Sequence, residues 1–390
     1  MNGQPRNRVL FSSVGAVGHV YPMLPLALAM VRAGRDVLWA CSSDLGPAIE
    51  RAGVPTVAAG LTIAERQAHL SQRSPQLEQL SPDQRALAIA PLLFGEVVAP
   101  KMIEDLRTAA QRWRPDLLIH DSMEFAAPIV AAGLGVPNVA HSFGPLTPEH
   151  RIVAISDRVA ALWSEAGLEP RAYGGLYDHL YLDIYPPSLQ PTRADHVPRR
   201  QHIRPVPMPA ESAAAWRWPS PTGWDDPLVY VTFGTEVLDD RPLRLVLEAL
   251  AEQPLRLVMT VGSHRNPEAF GRPPANVVIE RFVPQMAILP HAATVVSHGG
   301  SGTVLAALSL GLPQLCLPYF ADQPLNARAA ADAGAGLALD IGSLNCSMLD
   351  EAVWQLLTQG RFKENAARIA CEISAMPDPN DVASCLVNLG

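Results

Sequence analysis

One arrangement of residues occurs twice, once in each half of the chain, and it restricts the fold more than any other feature. The first copy runs from DLLIHD to NVAHSF and the second from ATVVSH to QLCLPYF. Each has an apolar run, a turn, a helical pattern, a Gly-x-Pro turn and a second apolar run. This order predicts a parallel βαβ unit, because parallel strands need a crossover connection. The chain is therefore predicted to contain two Rossmann-like α/β domains, not a solenoid.

The start of the chain and a proline-rich segment indicate the domain boundaries. RVLFSSV, GAVGH, VYPMLPLALAMVRAG and DVLWACS predict a strand, a loop, a helix ending at Gly34 and a second strand. Prolines crowd between Tyr185 and Pro227, and this stretch is not expected to form regular core elements. After Pro227, LVYVTFGT starts a new strand pattern. We expect an N-terminal domain over 1–205, a linker over 206–226, a second domain over 227–375 and a C-terminal helix over 376–390.

Composition and charge exclude several classes of protein. The chain is 48% hydrophobic and 17% charged, which does not fit a disordered protein. Its net charge of −8 argues against a nucleic-acid partner, which requires a basic face. No apolar run approaches the roughly 18–20 residues that span a bilayer, and no secretory signal is apparent. The five cysteines form no CxxC pair. We expect a cytoplasmic protein with no membrane partner.

The strongest local signal is HGGSGT, residues 298–303, which follows a predicted strand and opens a predicted helix. Glycines let the backbone approach a ligand closely, and the N–H groups of a first helical turn have no intrahelical partner. The positive end of the helix dipole attracts phosphate. His298 and Thr303 are candidate side-chain donors. This pattern favours a phosphate site over a turn that only packs the helix on the strand.

Other glycine-rich and metal sites fit this chain poorly. A Walker A loop needs Gly-Lys-Ser/Thr, and the two lysines, Lys101 and Lys363, lie near no glycine loop. The chain also lacks the dinucleotide fingerprint and the G-x-S-x-G elbow of esterases. No DxD or histidine-rich spacing indicates a metal ion. We expect the helix start and His298 to neutralise a diphosphate, with no metal and no cofactor.

A second candidate site begins with His19, at the end of the first predicted loop and the start of the first predicted helix. The positive end of that helix disfavours imidazolium, so a neutral ring is expected to accept a proton near pH 7. A carboxylate on the other ring nitrogen fixes the tautomer. Asp121 ends its strand on the same predicted edge as His19, whereas Asp116 lies at the start of that strand, at the far end. We predict that Asp121 is the partner and that Asp116 is the candidate for a structural role only.

A third set of polar residues follows another strand, in YFADQPLNA. Asp322, Gln323 and Asn326 offer the acid and amide groups that suit sugar hydroxyls. The same residues also fit a capped helix start, which is common for aspartate before a proline-containing helix. The residues alone leave both interpretations open.

Together these segments resemble the GT-B fold UDP-glycosyltransferase superfamily (glycosyltransferase family 1), particularly its bacterial natural-product branch. The resemblance covers nearly the whole chain and rests on GHVYPMLPLA, YPPSLQP, FVPQ, HGGSGT and DQPLNA. It implies two Rossmann-like domains facing a central cleft, the first for the acceptor and the second for the sugar nucleotide. It also implies a C-terminal helix that crosses back to the first domain.

The resemblance assigns roles to individual residues. His19 matches the general base and Asp121 its partner. Phe282 matches the residue that stacks on the nucleobase, usually a tryptophan, with Val283 and Gln285 nearby. The other donor-binding residues that it implies are Gly234, Thr235, His298, Gly300, Ser301, Gly302 and Thr303 at the diphosphate and Asp322 and Gln323 at the sugar hydroxyls.

One departure from the family pattern bears on the donor. Many UDP-sugar members carry a glutamate that binds the ribose hydroxyls, and this chain has Ala306 at that position. A missing acceptor suits a donor without the 2′-hydroxyl, so a dTDP-sugar is expected. Phenylalanine in place of tryptophan at Phe282 keeps a stacking face of smaller area.

The resemblance implies an inverting, metal-independent glycosyltransferase of antibiotic biosynthesis. It would move a (deoxy)sugar from a dTDP-sugar to a hydroxyl of a hydrophobic natural-product aglycone. The segment from about Ala64 to Ala99 and the loop after His141 are expected to hold that acceptor. The alternatives are a UDP-hexose transferase that inactivates an antibiotic, a non-catalytic protein of this fold and a nucleotide-sugar 2-epimerase. A homodimer is compatible with the sequence but not indicated by it.

Overall fold

The computed structural model describes residues 8–386 except 74, 79–81, 192, 208–225, 235–238 and 263–264. The chain forms two compact units. Unit 1 comprises Met1–Tyr185, Thr192–Arg204 and Met376–Gly390, and unit 2 comprises Pro186–Pro191 and Pro205–Ala375. Pro186–Pro191, placed by the sequence in the N-terminal domain, thus belongs to unit 2. Most of the predicted linker over 206–226 lies outside the described residues.

Unit 1 is built on a seven-stranded parallel sheet in its described part. Its strands are β1 (Arg8–Ser12), β2 (Asp36–Cys41), β3 (Thr56–Ala58), β4 (Leu117–Asp121), β5 (Asn138–His141), β6 (Leu180–Asp183) and β7 (Arg200–His202). The order β3-β2-β1-β4-β5-β6-β7 reverses direction between β1 and β4. Ligands of open parallel sheets bind beyond the carboxyl ends of the strands at such a point. The segment that follows β1 carries His19, and the end of β4 carries Asp121.

Helices cover the sheet of unit 1. Within its described residues they are α1 (Val17–Val20), α2 (Leu24–Arg32), α3 (Gly46–Arg51), α4 (Ile63–Arg73), α5 (Pro75–Glu78), α6 (Pro82–Ala90), α7 (Ala99–Trp113), α8 (Ala126–Leu134) and α9 (Glu149–Glu165). A π-helical segment (Pro91–Val98) joins α6 to α7. Met102, Leu106 and Ala110 of α7 recur every fourth residue and are buried in the core, as an amphipathic helix requires.

Two local features of unit 1 differ from the prediction. The sequence predicts one helix over VYPMLPLALAMVRAG, whereas the structure has two, α1 and α2. Pro25 lies in the first turn of α2, where the missing N–H is tolerated, and so favours a new helix start. His19 lies in a helix of four residues, too short for the dipole effect that the sequence argument used. The proline-rich stretch also forms the short edge strand β7.

Unit 2 contains a second parallel sheet, of six strands in its described part. Its strands are β8 (Leu228–Thr232), β9 (Arg256–Thr260), β10 (Val277–Glu280), β11 (Thr294–Ser297), β12 (Gln314–Cys316) and β13 (Gly336–Ala338), in the order β10-β9-β8-β11-β12-β13. Its helices are α10 (Arg241–Leu250), α11 (Gln285–Ile288), α12 (Ser301–Ser309), α13 (Gln323–Asp332), α14 (Cys346–Thr358) and α15 (Gly360–Ala375). The order reverses between β8 and β11, and the HGGSGT loop follows β11.

After α15 the chain returns to unit 1. Its last helix, α16 (Pro379–Cys385), packs against α2 and buries Val382. Asp378 caps α16 by accepting a hydrogen bond from the Asn380 N–H at 2.9 Å, and Arg32 of α2 donates to the Asn380 side chain at 3.0 Å. The C-terminal helix therefore crosses back to the first domain, as the resemblance implies. Across the described residues of both units, none of the helices has the length and apolarity needed to cross a membrane.

Candidate active site

His19 and Asp121 meet at the carboxyl edge of the sheet in unit 1. Nδ1 of His19 lies 2.9 Å from Oδ1 of Asp121. The Asp121 side chain is fully buried, and that of His19 is 14% exposed. An ionised carboxylate only accepts hydrogen bonds, so Nδ1 of His19 carries the proton and Nε2 keeps its lone pair. The ring is thus oriented to take a proton from a hydroxyl at Nε2.

Backbone donors fix the Asp121 carboxylate in place. The Val14 N–H donates to Oδ2 at 3.1 Å, and the Met123 N–H donates to Oδ1 at 2.8 Å. These bonds tie the loop after β1 to the turn after β4. Asp116, at the other end of this strand, instead accepts a hydrogen bond from the Arg8 N–H at 2.9 Å at the start of β1. Asp116 therefore has a structural contact away from His19.

Three buried titratable side chains around this pair were not singled out from the sequence. His120 contacts the Asp121 carbonyl through Nδ1 at 3.0 Å, and His141 lies opposite Asp121 in the β4–β5 register. Burial lowers the pKa of each histidine to about 4, so both are neutral near pH 7. Burial raises the pKa of Glu124 to about 7, against a lowering hydrogen bond from Ser12. The sequence predicts that these three residues lie near strand ends, but it does not show that their side chains are buried.

Two phenylalanines flank the His19 ring. Phe143, in the loop after β5, stacks on it with ring centroids 4.1 Å apart. Phe94, in the π-helical segment, lies 6.1 Å away in a tilted arrangement. π-Helical turns often occur at functional sites. These residues come from the two segments that the sequence proposed for the acceptor, and they give His19 an apolar aromatic surround.

In unit 2, the His298 ring lies against two glycines. A Cβ at Gly300 would be 2.5 Å from Nε2 of His298, and a Cβ at Gly234 would be 3.0 Å from Cε1. Any side chain at either position would displace the ring, which explains the glycines. Burial lowers the pKa of His298, although the charge of Asp322 opposes this shift. His298 is therefore a neutral group held tightly at the loop.

The HGGSGT loop opens α12 with free backbone donors. Gly300 is the N-cap, and the first backbone bond inside the turn runs from the Val304 N–H to the Gly300 carbonyl at 3.0 Å. The N–H groups of residues 301–303 therefore have no partner within the helix. A Cβ at Gly302 would meet nothing within 4 Å, so this face of the loop is open. The geometry suits an anion.

The side chain of Ser301 supports Asp322. Its hydroxyl donates to Oδ2 of Asp322 at 2.6 Å, and the Asn326 amide donates to the same oxygen at 2.8 Å. Asn326 also donates to the Gly299 carbonyl at 2.9 Å. This cluster joins the start of α13 to the HGGSGT loop and orients Asp322, which is only partly buried. The hydroxyl of Ser301, predicted at the diphosphate, is thus used inside the protein.

Gln323 holds the backbone before α13. Its Oε1 accepts hydrogen bonds from the N–H groups of Tyr319 and Phe320, at 2.9 and 3.1 Å. Ala321 has a φ of +58° within this turn, a conformation that costs energy for a residue with a side chain and that clusters at functional sites. Gln323 is 4% exposed. Its carbonyl oxygen therefore shapes the turn that presents Asp322.

The residues predicted at the nucleobase differ in their surroundings. Phe282 is 69% exposed, and its ring is free to stack on a ligand. Val283 is 2% exposed and lies in a hydrophobic cluster of unit 2 that also contains Tyr230 and Ile288. Gln285 donates through its amide to Oγ1 of Thr303 at 2.8 Å, which connects the start of α11 to α12. Thr235, which the sequence predicts at the diphosphate, lies outside the described residues.

Comparisons with known proteins decide the family. Models of the erythromycin biosynthesis protein CIII-like family match residues 28–203 with the N-terminal domain and 244–389 with the C-terminal domain. The elloramycin glycosyltransferase ElmGT of Streptomyces olivaceus is 31% identical over 97% of this chain and 96% of its own. The chain belongs to the bacterial natural-product glycosyltransferases of the GT-B fold.

Two further relatives of this glycosyltransferase are informative. The aclacinomycin-T 2-deoxy-L-fucose transferase of Streptomyces galilaeus is 28% identical over 98% of this chain and 96% of its own. The crystal structure of glycosyltransferase VinC in complex with dTDP superposes with a TM-score of 0.79 at 25% identity, covering 98% of this chain and 99% of VinC. The resemblance found in the sequence is confirmed, and this protein is a glycosyltransferase.

The stacked phenylalanine gives a first prediction for this glycosyltransferase. We expect Phe143→Leu to lower kcat/KM for the acceptor by about three- to tenfold, because an aromatic pair contributes about 0.5–1.5 kcal/mol beyond area burial. Affinity for the nucleotide should not change, because Phe143 belongs to unit 1, whereas the expected nucleotide site, the HGGSGT loop, belongs to unit 2. Steady-state kinetics with varied acceptor measures the effect. Phe94→Leu, with the more distant ring, should have a smaller effect, and the reverse order would contradict the prediction.

Proposed function

We propose that this enzyme transfers a sugar from a dTDP-sugar to a hydroxyl of an apolar natural-product aglycone, with inversion and without a metal ion. The observation that carries the proposal is the contact of 2.9 Å between His19 Nδ1 and the buried Asp121 carboxylate. It leaves Nε2 as a proton acceptor within an aromatic surround. A general base of this kind typically contributes about 10²- to 10⁴-fold to the rate.

In the proposed reaction, His19 removes the proton of the acceptor hydroxyl as its oxygen attacks the anomeric carbon. The bond between that carbon and the diphosphate oxygen breaks, and the electron pair stays on the diphosphate. A single displacement of this kind inverts the anomeric configuration. The free N–H groups at the start of α12 and the His298 side chain would stabilise the departing charge. Asp121 stabilises the imidazolium that forms.

Two observations support dTDP over UDP as the nucleotide, and a third supports a deoxysugar. Ala306 is 3% exposed and packs in a hydrophobic cluster with Tyr230 and Val283. It offers no acceptor for a 2′-hydroxyl. VinC, similar over almost its whole length, binds dTDP. A 2-deoxy sugar is named for the aclacinomycin-T relative, which supports a deoxysugar as the group transferred here.

The aromatic surround of His19 supports a hydrophobic acceptor. Phe94 and Phe143 present ring faces beside the proton acceptor, and planar or apolar aglycones bind favourably to such faces. The names of ElmGT and of the aclacinomycin-T relative include antibiotics. We therefore place the reaction in antibiotic biosynthesis. Inactivation of a finished antibiotic with a UDP-hexose is the second candidate.

Donor preference tests this proposal. We expect dTDP to raise the melting temperature more than UDP at equal concentration, because bound ligand stabilises the folded state. With a panel of aglycones, dTDP-deoxysugars should be turned over at least about tenfold faster than UDP-glucose, equivalent to about 1.4 kcal/mol. NMR coupling constants of the product should show an inverted anomeric centre, and EDTA should leave the rate unchanged. Faster turnover of UDP-glucose would support the antibiotic-inactivating alternative instead.

A further inference from the structure

Glu124 connects the end of β1 to the start of α8. The Ser12 hydroxyl donates to its Oε2 at 2.7 Å, and the Ala126 N–H donates to its Oε1 at 2.6 Å. The Ala127 N–H donates to Oε2 at 3.1 Å. The side chain is fully buried. Because Ser12 is the last residue of β1 and Ala126 the first of α8, one carboxylate holds two elements at a fixed distance.

Asp121 spans the same two parts of the chain. It accepts from the Val14 N–H after β1 and from the Met123 N–H before α8, at 3.1 and 2.8 Å. The last β1–β4 pair in the ladder is Ser12 with His120. Beyond this pair, the Asp121 and Glu124 carboxylates continue the connection between the segments that follow β1 and β4. The loop that they fix leads into α1, which carries His19, so the position of His19 depends on both carboxylates.

We propose that Glu124 is a positioning residue for the His19–Asp121 pair. It fixes the end of β1, from which the chain continues to His19, and it places a second carboxylate near Asp121. This inference rests on the proposed function, in which His19 accepts the proton of the acceptor. Glu124 itself does not contact the substrate in this proposal. It acts through the backbone around Asp121 and through its charge.

The surroundings of Glu124 make its charge relevant near neutral pH. Burial raises its pKa to about 7, and the Asp121 charge adds to the increase. His120 on β4 and His141 on β5, which lie beside and opposite Asp121, stay neutral there because burial lowers the pKa of each to about 4. Glu124 therefore changes charge near pH 7, whereas these two histidines do not. When ionised, Glu124 adds a second negative charge near Asp121.

Glu124→Gln tests the charge with little change in shape. The amide oxygen can still accept from Ala126, so the variant should fold and keep its dTDP affinity within about twofold. We expect kcat to fall about tenfold, since small misplacements near the chemistry are costly. The step that Glu124 ionisation produces in kcat/KM near pH 7 should be absent from the variant, because the amide does not titrate. A merely structural role would not change the shape of this profile.

Ser12→Ala breaks the bond to β1 and keeps a titrating carboxylate at Glu124. We expect kcat to fall and the step near pH 7 to remain but move to higher pH, because the Ser12 hydrogen bond lowers the pKa of Glu124. Asp116→Asn, which changes a carboxylate on the Arg8 N–H away from the pair, should match the wild type. Wild-type kcat and pH profiles in both Glu124→Gln and Ser12→Ala would overturn the inference. If His19→Gln retains full transfer, the proposed function fails; if that variant is inactive while these two behave as wild type, this inference alone fails.

Discussion

His19→Ala is expected to lower kcat by about 10²- to 10⁴-fold, the usual contribution of a general base. The loss follows from the geometry, since Nε2 is the ring atom left free when Asp121 holds Nδ1 at 2.9 Å. Affinity for dTDP should stay within about twofold, because the HGGSGT loop, the proposed phosphate site, belongs to unit 2. Single-turnover kinetics with radiolabelled dTDP-sugar and calorimetric titration with dTDP measure the two quantities.

Asp121→Asn is the partner experiment. An amide can donate to Nδ1 and so favour the wrong tautomer of His19, which should reduce kcat nearly as much as loss of the ring. The double variant should be no worse than His19→Ala, because both residues act as one unit. Asp116→Asn, with its contact to Arg8, is the matched control and should keep wild-type kcat.

Near-wild-type transfer by His19→Ala would remove this histidine from the mechanism.

Gly300→Ala should weaken donor binding by at least about tenfold, or 1.4 kcal/mol. Its φ of −65° suits any residue, so backbone strain does not contribute. The added methyl would lie 2.5 Å from Nε2 and 3.0 Å from Cε1 of His298. The ring must therefore move away from the loop. Calorimetric titration with dTDP measures the loss, and thermal unfolding reports whether the fold is intact.

Gly302→Ala distinguishes a clash of the new methyl group with His298, as at Gly300, from a clash with the bound diphosphate. A Cβ there meets nothing within 4 Å, and replacing glycine by alanine at a position without a positive φ stabilises a protein by about 0.4–1 kcal/mol, chiefly by lowering the entropy of the unfolded chain. The variant should therefore be at least as stable as the wild type. Reduced dTDP affinity in a stable Gly302→Ala protein would locate the diphosphate at this turn. Unchanged affinity in both variants would contradict a phosphate site at the HGGSGT loop.

Hydrophobic periodicity predicted much of this fold. The βαβ units are local patterns and can be recognised from the sequence. The apolar runs stop at polar residues, which predicts the strand ends at Asp121 and directly before His298. A parallel sheet collects such ends at one edge, which is why His19 and Asp121 could be paired before their distance was known.

Features that depend on tertiary contacts were not readable. The sequence does not show that Glu124 is buried, that Ser301 supports Asp322 or that Phe143 stacks on His19, because each contact joins residues distant in the chain. The break between α1 and α2 was missed because apolar spacing continues across Pro22. The π-helical segment around Phe94 has no periodicity that distinguishes it from an ordinary helix.

The return of α16 to unit 1 affects how hybrid enzymes should be assembled. α16 buries Val382 and Ala383, Leu386 directly after it is also buried, and a hydrogen bond between Arg32 and Asn380 joins α16 to α2. A chimera that exchanges everything after residue 205 would place a foreign helix on α2. Taking the last fifteen residues from the same parent as the rest of unit 1 keeps this packing native, so the exchanged segment should end at Ala375.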